Sequence, residues 1–340
     1  MRRMIERNMK TVTLEQPGRF TVGDTARPGA PGPSDVLVRV LAVGVCGTDL
    51  HAFEGTQPFF NYPRILGHEL AVEVLTTGDG VDGLAPGDRC AVNPYITCGE
   101  CAACLRGRTN CCARMCVVGV HVDGGMRDMI VLPARQLYKI SKLPTAQVPL
   151  VETLGVGIHA VGRSAAEAGD RAIVIGAGPI GLSVIEFLRV AGVDVGVVEK
   201  IPERLEFAAR RHGLSRYYPS HDEARQEEPS VLVFDCSGDR ASMESAIHLL
   251  QQGGKLVFVG LVNDQLSIFD PDLHRREATV LASRNSTPAE HHRVLDLMES
   301  GRVDVSDWPT ECARPERMGD RFPLWLRREA GIVKAIVEWS

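Results

Sequence analysis

The sequence lacks the features that mark nucleic-acid-binding, membrane and secreted proteins. Its formal net charge is −5, so it has no excess of cations to meet a phosphate backbone. Its apolar stretches, such as residues 172–182, contain glycine and proline and fall short of the roughly 18 residues that span a bilayer. The basic opening, with Met9 as an alternative start, has no apolar segment behind it. We therefore expect a cytoplasmic protein with neither nucleic acid nor membrane as a partner.

The length and the rhythm of the chain predict two domains. At 340 residues the chain exceeds the roughly 250 to 300 residues at which a single core stops growing. The N-terminal part alternates short β-rich runs with glycine and proline turns, which is typical of a compact, antiparallel, barrel-like β domain. From about Arg171 strands and helices alternate, which predicts a doubly wound parallel sheet. The tail, from a helix near Pro288 onward, is expected to return to the first domain.

A glycine-rich loop follows an apolar strand at residues 172–175. Gly176, Gly178 and Gly181 form G-x-G-x-x-G between this strand and a helix, which is the context that a dinucleotide-binding loop requires. The pattern supplies a tight turn, a bare backbone for the pyrophosphate and a helix N-terminus that faces the anion. It predicts a nicotinamide dinucleotide as the cofactor.

The end of the second strand of this domain distinguishes the two nicotinamide dinucleotides. Glu199 lies 18 residues past Gly181, where a carboxylate accepts hydrogen bonds from the ribose hydroxyls and repels a 2′-phosphate. NAD is therefore favoured over NADP. Lys200 and Arg204 keep the second alternative open, because nearby cations can accommodate the phosphate.

Four cysteines stand close together as C-x2-C-x2-C-x7-C: Cys98, Cys101, Cys104 and Cys112. Four thiolates at this spacing suit a closed tetrahedral zinc site, which folds its loop and leaves no position for substrate. Spacing alone does not choose between Cys112 and its neighbour Cys111. The absence of a secretory signal favours metal binding over disulfides. The cysteines without ligand spacing are expected to be small core residues: Cys90, Cys116, Cys236 and Cys312.

A second set of donors fits a reactive zinc. Cys46 opens CGTDLH at the end of a β-run, and His68 and Glu69 follow in LGHE. One cysteine, one histidine and one carboxylate supply the three protein ligands of a catalytic zinc, with a fourth position open. Glu152, in LVETLGVGIHA, is a second candidate for the carboxylate. Zinc held in this way lowers the pKa of a bound alcohol and so favours the loss of hydride to a nicotinamide.

The proton that such an alcohol releases needs a route to solvent. Thr48 and His51 follow Cys46 by two and five residues, a placement that can pass the proton from hydroxyl to imidazole to water. Two plainer interpretations stay open, in which Thr48 only caps the following turn and His51 is an ordinary surface histidine.

The chain resembles the zinc-containing medium-chain alcohol dehydrogenases, in the branch of the sorbitol and threonine dehydrogenases. Five segments carry this resemblance: CGTDLH, GHE, CGECAACLRGRTNCC, GAGPIG and the E-x-x-x-x-G-x-H-A that begins at Glu152. The resemblance covers the chain from Met9 to Trp339. It implies an α/β fold, with a GroES-like β-barrel catalytic domain at residues 1–150 and 291–340 and a Rossmann NAD-binding domain at residues 151–290. It also implies two zinc ions per chain, the Thr48 and His51 relay, Cys112 as the fourth structural ligand, and a homo-oligomer of two or four chains.

Three further segments resemble the sugar-acid members of that family, the L-galactonate and L-gulonate 5-dehydrogenases: GTQPFFNYPRILGHE, GRTNCC with VVGVHVDGG, and ASRNSTPAE. This resemblance implies oxidation of a secondary alcohol on a polyhydroxylated small molecule. It places Arg284, Asn285 and His121 near substrate or nicotinamide, with Arg284 as a bidentate partner for a carboxylate. The chain departs from the family at Thr153, where proline is usual, and at residues 127–129, where an aromatic run is common, so we expect a different pocket.

The predicted cofactor-binding residues are Gly176, Gly178, Pro179, Ile180, Gly181, Glu199, Lys200, Arg204, Ser237, Arg284 and Asn285. A polyol dehydrogenase or an L-threonine dehydrogenase with the same machinery remains an alternative. An alternative from another class is a zinc- and nucleotide-binding protein without turnover. The joint presence of Cys46, Thr48, His51 and His68 favours an enzyme.

Overall fold

The chain forms two compact units. The computed structural model describes residues 8–58, 60–327 and 331–339. Within these residues one unit runs to Glu152 and resumes at His291, and the other runs from Thr153 to Glu290. No helix in these described ranges is both long and apolar enough to cross a membrane.

Strands and helices follow one another in three blocks along the chain. The first block contains β1 (Asn8–Gln16), β2 (Arg19–Ala26), β3 (Asp35–Val45), α1 (Gly47–Glu54), β4 (Glu69–Thr77), β5 (Arg89–Val92), β6 (Tyr95–Ile96), α2 (Ala102–Leu105), β7 (Cys116–Val117), β8 (Met129–Pro133) and β9 (Leu137–Lys139). The second contains α3 (Leu150–Ser164), β10 (Arg171–Ile175), α4 (Pro179–Val190), β11 (Asp194–Val198), α5 (Pro202–His212), β12 (Arg216–Tyr218), α6 (His221–Ala224), β13 (Ser230–Asp235), α7 (Arg240–Ser245), β14 (Leu250–Phe258), α8 (Asp270–Arg276) and β15 (Thr279–Ala282). The third contains α9 (Pro288–Glu299), β16 (Pro309–Ala313), α10 (Met318–Trp325) and β17 (Lys334–Glu338).

The first unit is built on a mostly antiparallel sheet. Its strands run in the order β16-β17-β3-β4-β5-β9, and β8 also pairs with β3. Only the pairing of β16 with β17 is parallel. Because side chains alternate along a strand, Val36, Val38 and Val40 of β3 all point into the core and are fully buried. The last strand, β17, pairs with β3 and places Ala335 opposite Val45.

The second unit is a parallel sheet of six strands in the order β12-β11-β10-β13-β14-β15. Parallel sheets carry helices on both faces, and for that reason the residues from Ala172 to Ile175 on β10 are buried without alternation. The strand order reverses between β10 and β13, which is the point at which such sheets bind dinucleotides. The predicted fold class, a β domain with a doubly wound α/β domain, is confirmed.

One prediction about the core is wrong. Cys312 is exposed, because it lies on the strand β16 at the end of the first sheet and shares its exposed face with Thr310. Cys90 is buried as predicted, whereas Cys116 and Cys236 are half-buried.

Candidate functional site

Two neighbouring strands of the first unit bring three of the predicted metal donors together. Cys46 directly follows β3, and Glu69 begins β4, which pairs with β3 so that Glu69 lies opposite Gly44. The Cys46 thiol, a ring nitrogen of His68 and a carboxylate oxygen of Glu69 lie within 4.8 Å of one another. Gly44 makes room for this carboxylate, since a Cβ there would lie 2.1 Å from Glu69 Oε2.

Asp49, on the first turn of α1, lies beside two of these donors. Its Oδ2 accepts a hydrogen bond of 2.9 Å from the backbone N–H of Cys46, and its Oδ1 lies 3.6 Å from Nδ1 of His68. Burial raises the pKa of the Asp49 carboxyl, and the adjacent His68 opposes this effect. A carboxylate behind a ligating histidine orients the ring and makes it a better donor.

Lys334, the first residue of β17, contacts the other side of the site. Its Nζ lies 2.6 Å from Oε1 of Glu69, and both side chains are buried. Burial lowers the pKa of Lys334, but the surrounding anions, Glu69 first among them, raise it above its ordinary value. The Nζ group donates to one oxygen of Glu69 and so restricts where this carboxylate can lie.

Glu152, the second candidate carboxylate, stands outside the compact set of three donors. Its Oε1 accepts a hydrogen bond from the Tyr95 hydroxyl, and both side chains are buried. Burial raises the pKa of both groups. These contacts favour Glu69 as the carboxylate that completes the set.

The donors fit a zinc ion. A thiol, an imidazole and a carboxylate form the ligand set of a catalytic zinc site. Asp49 and Glu152 add two more buried carboxyl groups around them, and Lys334 is bonded to Glu69. A divalent cation at this position would offset the mutual repulsion of these acidic groups.

Thr48 and His51 both lie on α1, which Cys46 caps. Thr48 is half-buried, and the His51 side chain is 58% exposed. The Nδ1 of His51 lies 3.4 Å from Thr56 Oγ1 and 3.5 Å from a carboxylate oxygen of Glu54. The ring thus reaches solvent, and the relay through it stays a prediction.

The four-cysteine cluster is compact in the described structure. The Sγ atoms of Cys98, Cys101, Cys104 and Cys112 lie within 4.8 Å of one another, and none is in a disulfide. Cys111 is exposed, so the geometry selects Cys112 as the fourth member.

Backbone N–H groups surround these sulfurs. That of Ala113 points at Cys101 at 3.5 Å, and that of Arg114 points at Cys112 at 3.4 Å. Backbone hydrogen bonds at Glu100 and Cys101 lower the pKa of Cys98 to about 6. Hydrogen bonds of this kind stabilise thiolates, which are the form that binds zinc.

In the second unit the glycine-rich loop has the backbone geometry that its pattern predicts. Gly176 has a φ of +92°, and a Cβ on Gly181 would lie 1.7 Å from the Gly176 carbonyl oxygen. A Cβ on Gly178 would meet no atom within 4 Å, so the backbone faces open space there. Gly178 caps α4, with Pro179 and Ile180 in its first turn. A pyrophosphate can therefore approach the helix N-terminus.

Glu199 is buried at the end of β11 and braces this loop. Its Oε2 accepts a hydrogen bond of 2.8 Å from the N–H of Ala177, and its Oε1 accepts one of 2.8 Å from the N–H of Ile201. A carboxylate offers about four acceptor positions, so it can still accept hydroxyl donors. Lys200 is exposed nearby in sequence, and Arg204 is half-buried on α5.

The remaining predicted residues are dispersed. Ser237 follows β13 and donates to Oδ1 of Asp235 through its N–H at 2.9 Å and its hydroxyl at 2.6 Å. Arg284 is exposed and Asn285 half-buried in the segment after β15. His121 is exposed, and its Nδ1 accepts from the N–H of Val117 at 2.9 Å.

Three residues around the metal donors were missed by the sequence reasoning. Asp49 lies inside CGTDLH and could have been found as a carboxylate beside two ligands. Tyr95 and Lys334 carry no local signal, because the fold brings them in from distant parts of the chain, Tyr95 on β6 and Lys334 on β17.

Comparison with known proteins supports this site. Residues 32–145 match the family described as alcohol dehydrogenase GroES-like domain, and residues 179–300 match zinc-binding dehydrogenase. The L-galactonate-5-dehydrogenase of Escherichia coli K12 is 38% identical over 302 residues, which are 87% of this chain and 88% of the relative. The chain belongs to the zinc-containing alcohol dehydrogenase family. It is an NAD(P)-dependent alcohol dehydrogenase, as the sequence predicted.

Two solved dehydrogenase structures are similar to this chain over nearly its whole length. A structure described as a short chain alcohol dehydrogenase from Escherichia coli CFT073, in complex with NADH, has a TM-score of 0.91 at 26% identity and covers 98% of this chain and 100% of its own. A zinc-binding dehydrogenase of Sinorhizobium meliloti 1021, bound to NADP, has a TM-score of 0.90 at 30% identity. The match covers 97% of this chain and 99% of the relative. These relatives differ in their cofactor, so the family alone does not select NAD or NADP.

Proposed function

We propose that this alcohol dehydrogenase oxidises a secondary alcohol of a sugar acid of the L-galactonate or L-gulonate type, with NAD+ as the hydride acceptor. The observation that carries the proposal is the 38% identity to an L-galactonate-5-dehydrogenase over 87% of the chain. That likeness covers so much of the chain that it extends into both units, which makes a shared substrate class the simplest interpretation.

Two zinc ions per chain complete the proposal. Cys46, His68 and Glu69 would hold the catalytic ion, and Cys98, Cys101, Cys104 and Cys112 would hold the structural one. The catalytic ion, when bound, supplies Lewis acidity that lowers the pKa of the substrate hydroxyl. Asp49 lies beside the imidazole as its charged neighbour, and Lys334 donates to one oxygen of the carboxylate.

The proposed proton route uses Thr48 and His51. Both lie on α1 directly after Cys46, and the exposed ring of His51 can exchange its proton with water. We expect His51→Gln to lower kcat about tenfold or more, and added imidazole to restore part of the loss. His274→Gln, at an exposed position on α8, is the matched control and should leave kcat unchanged.

We propose NAD as the preferred cofactor because Glu199 is buried at the ribose end of the loop, where a 2′-phosphate would meet a negative charge. Two further expectations stay predictions, namely a homo-oligomer of two or four chains and a cytoplasmic location. Light scattering on the purified protein tests the first.

A substrate panel tests the proposed function. NADH absorbance is followed with L-galactonate, L-gulonate, sorbitol and L-threonine, and we expect the two aldonates to give a kcat/KM on the order of tenfold or more above the others. A higher value for sorbitol or L-threonine would assign the enzyme to that substrate class instead. NADH binding without turnover on any of the four substrates would count against the aldonates.

A variant pair tests the role of the substrate carboxylate. Arg284→Met should raise KM for the aldonates and leave KM for sorbitol unchanged, because only the acids offer a partner for the guanidinium. Arg225→Met, at the end of α6, serves as the control and should change neither the KM for the aldonates nor the KM for sorbitol. An equal effect on acid and polyol would exclude Arg284 as the carboxylate partner.

A further inference from the structure

Two motifs of the sequence contact each other in the second unit. His159 belongs to the G-x-H-A segment on α3, and Glu290 ends the STPAE segment on the first turn of α9. The Nδ1 of His159 lies 2.8 Å from Oε1 of Glu290. His159 is buried and Glu290 is half-buried, so this contact is partly shielded from solvent.

The other oxygen of Glu290 fixes the segment that leads into α9. Its Oε2 accepts from the N–H of Thr287 at 2.7 Å and from the Thr287 hydroxyl at 2.9 Å. This is a capping arrangement, in which the carboxylate at the third helical position reaches back to the residue before the helix. One carboxylate therefore ties the start of α9 to His159.

The segment between β15 and α9 is held at its other end as well. Arg163, four residues after His159 on α3, donates to the carbonyl oxygen of Ala282, the last residue of β15, at 3.3 Å. The helix α3 thus contacts both ends of residues 283–287.

Asn285 lies in the middle of this segment and has an unusual backbone conformation and an unsatisfied side-chain donor. Its φ is +52°, in the left-handed region that asparagine tolerates better than other non-glycine residues. Its side-chain Nδ2 is buried and has no hydrogen-bond partner among the described residues. Both a strained backbone and an unsatisfied buried donor are costly and are typical of ligand-binding positions.

The place of Asn285 in the sheet indicates which ligand group it meets. The glycine loop follows β10 and Asn285 follows β15, and carboxyl ends of parallel strands lie at one edge. Glu199 follows β11, on the half of the sheet that takes the adenosine end of a dinucleotide. The strands β13, β14 and β15 form the other half, which takes the nicotinamide end.

We propose that Asn285 Nδ2 donates a hydrogen bond to an oxygen of the nicotinamide riboside part of the cofactor, and that His159 is a positioning residue that holds Asn285 there through Glu290. The proposal rests on the dinucleotide dependence of the enzyme and is independent of the substrate class.

Binding of NADH and of ADP tests it, since ADP lacks the nicotinamide riboside. Asn285→Gly removes the amide and keeps the positive φ accessible. His159→Leu removes the tether, and His159→Asn keeps a donor close to the position of Nδ1. His274→Leu, at an exposed position of α8 in the same unit, is the control. Each dissociation constant is measured by calorimetry, and a thermal melt confirms that each variant is folded.

We expect Asn285→Gly and His159→Leu each to weaken NADH binding on the order of tenfold, with ADP binding unchanged. His159→Asn should recover most of the NADH affinity, and His274→Leu should change neither ligand. The proposal is overturned if NADH binding stays unchanged, or if NADH and ADP lose affinity equally.

Discussion

Lys334 Nζ and Glu69 Oε1 form an ion pair of 2.6 Å in which the side chains are only 2% and 1% exposed. The pair joins β17 to the start of β4, and 265 positions of sequence separate its two members. Removing one partner of a buried pair leaves the other charge uncompensated, which is more costly than the pair itself is worth.

We predict that Lys334→Met lowers the free energy of unfolding of the first unit by about 3–5 kcal/mol. Urea unfolding followed by tryptophan fluorescence measures this, because Trp308, Trp325 and Trp339 all belong to that unit. Lys334→Arg should retain most of the stability, since the charge is kept.

Arg317→Met is the matched control, because its ion pair with Asp320 is exposed on both sides. Its cost should stay below about 1 kcal/mol. Equal costs at Lys334 and Arg317 would show that the buried ammonium does not stabilise Glu69.

Adjacent cysteines should differ in their effect on metal content. Cys112→Ser removes a sulfur from the cluster of four, so we predict that one metal ion per chain is lost and the thermal midpoint falls. Cys111→Ser changes only an exposed side chain, so it should keep the metal content and the thermal midpoint of the wild type. Elemental analysis of the two purified variants checks this prediction, and metal loss in Cys111→Ser alone would reverse the assignment.

Replacement of Glu199 should erode the preference for NAD. The carboxylate accepts from the loop backbone and repels a 2′-phosphate, so we expect Glu199→Ala to lower the ratio of the NADPH to the NADH dissociation constant about 10- to 100-fold. Glu203→Ala, at an exposed position on the first turn of α5, should leave the ratio unchanged. An unaltered ratio in Glu199→Ala would mean that another residue recognises the ribose.

His212, at the end of α5, should make the second unit less stable in acid. Burial first, and then Arg211 and Arg189, lower the pKa of this imidazole to about 3. Above pH 6.5 the ring is neutral in both states and contributes nothing. Below that pH the imidazole is protonated in the unfolded chain but stays neutral in the folded chain. The free energy of unfolding therefore falls as the pH is lowered from about 6.5 toward 3.

At pH 5 the titration of His212 lowers the free energy of unfolding by about 2 kcal/mol, compared with a side chain that does not titrate. We therefore predict that, when the pH falls from 7.5 to 5, the wild type loses about 2 kcal/mol more of its free energy of unfolding than His212→Gln does. Hydrogen exchange of the α4 and α5 amides measures it. A difference that does not change with pH would contradict the buried neutral state.

Two parts of the site that the sequence revealed consist of residues that lie close together along the chain. Gly176, Gly178 and Gly181 lie within one turn, and a backbone that bends so tightly leaves its pattern in the residue types. The cysteines from Cys98 to Cys112 likewise belong to one loop. In both cases local spacing and three-dimensional proximity are nearly the same thing.

Contacts between distant parts of the chain could not be predicted in this way. Lys334 reaches Glu69 because β17 pairs with β3, and Tyr95 of β6 reaches Glu152 of α3 across 57 positions of sequence. No local pattern encodes these contacts. Cys312 was assigned to the core on residue type alone, although the exposure of a strand residue depends on which face of the sheet it occupies.

The metal content of Cys46→Ala tests the central claim most directly. The account predicts that the wild type binds two zinc ions per chain, and that Cys46→Ala binds one, still binds NADH and forms no NADH from any aldonate. A variant that kept both ions, or that still oxidised an aldonate, would contradict the proposed zinc site at Cys46, His68 and Glu69.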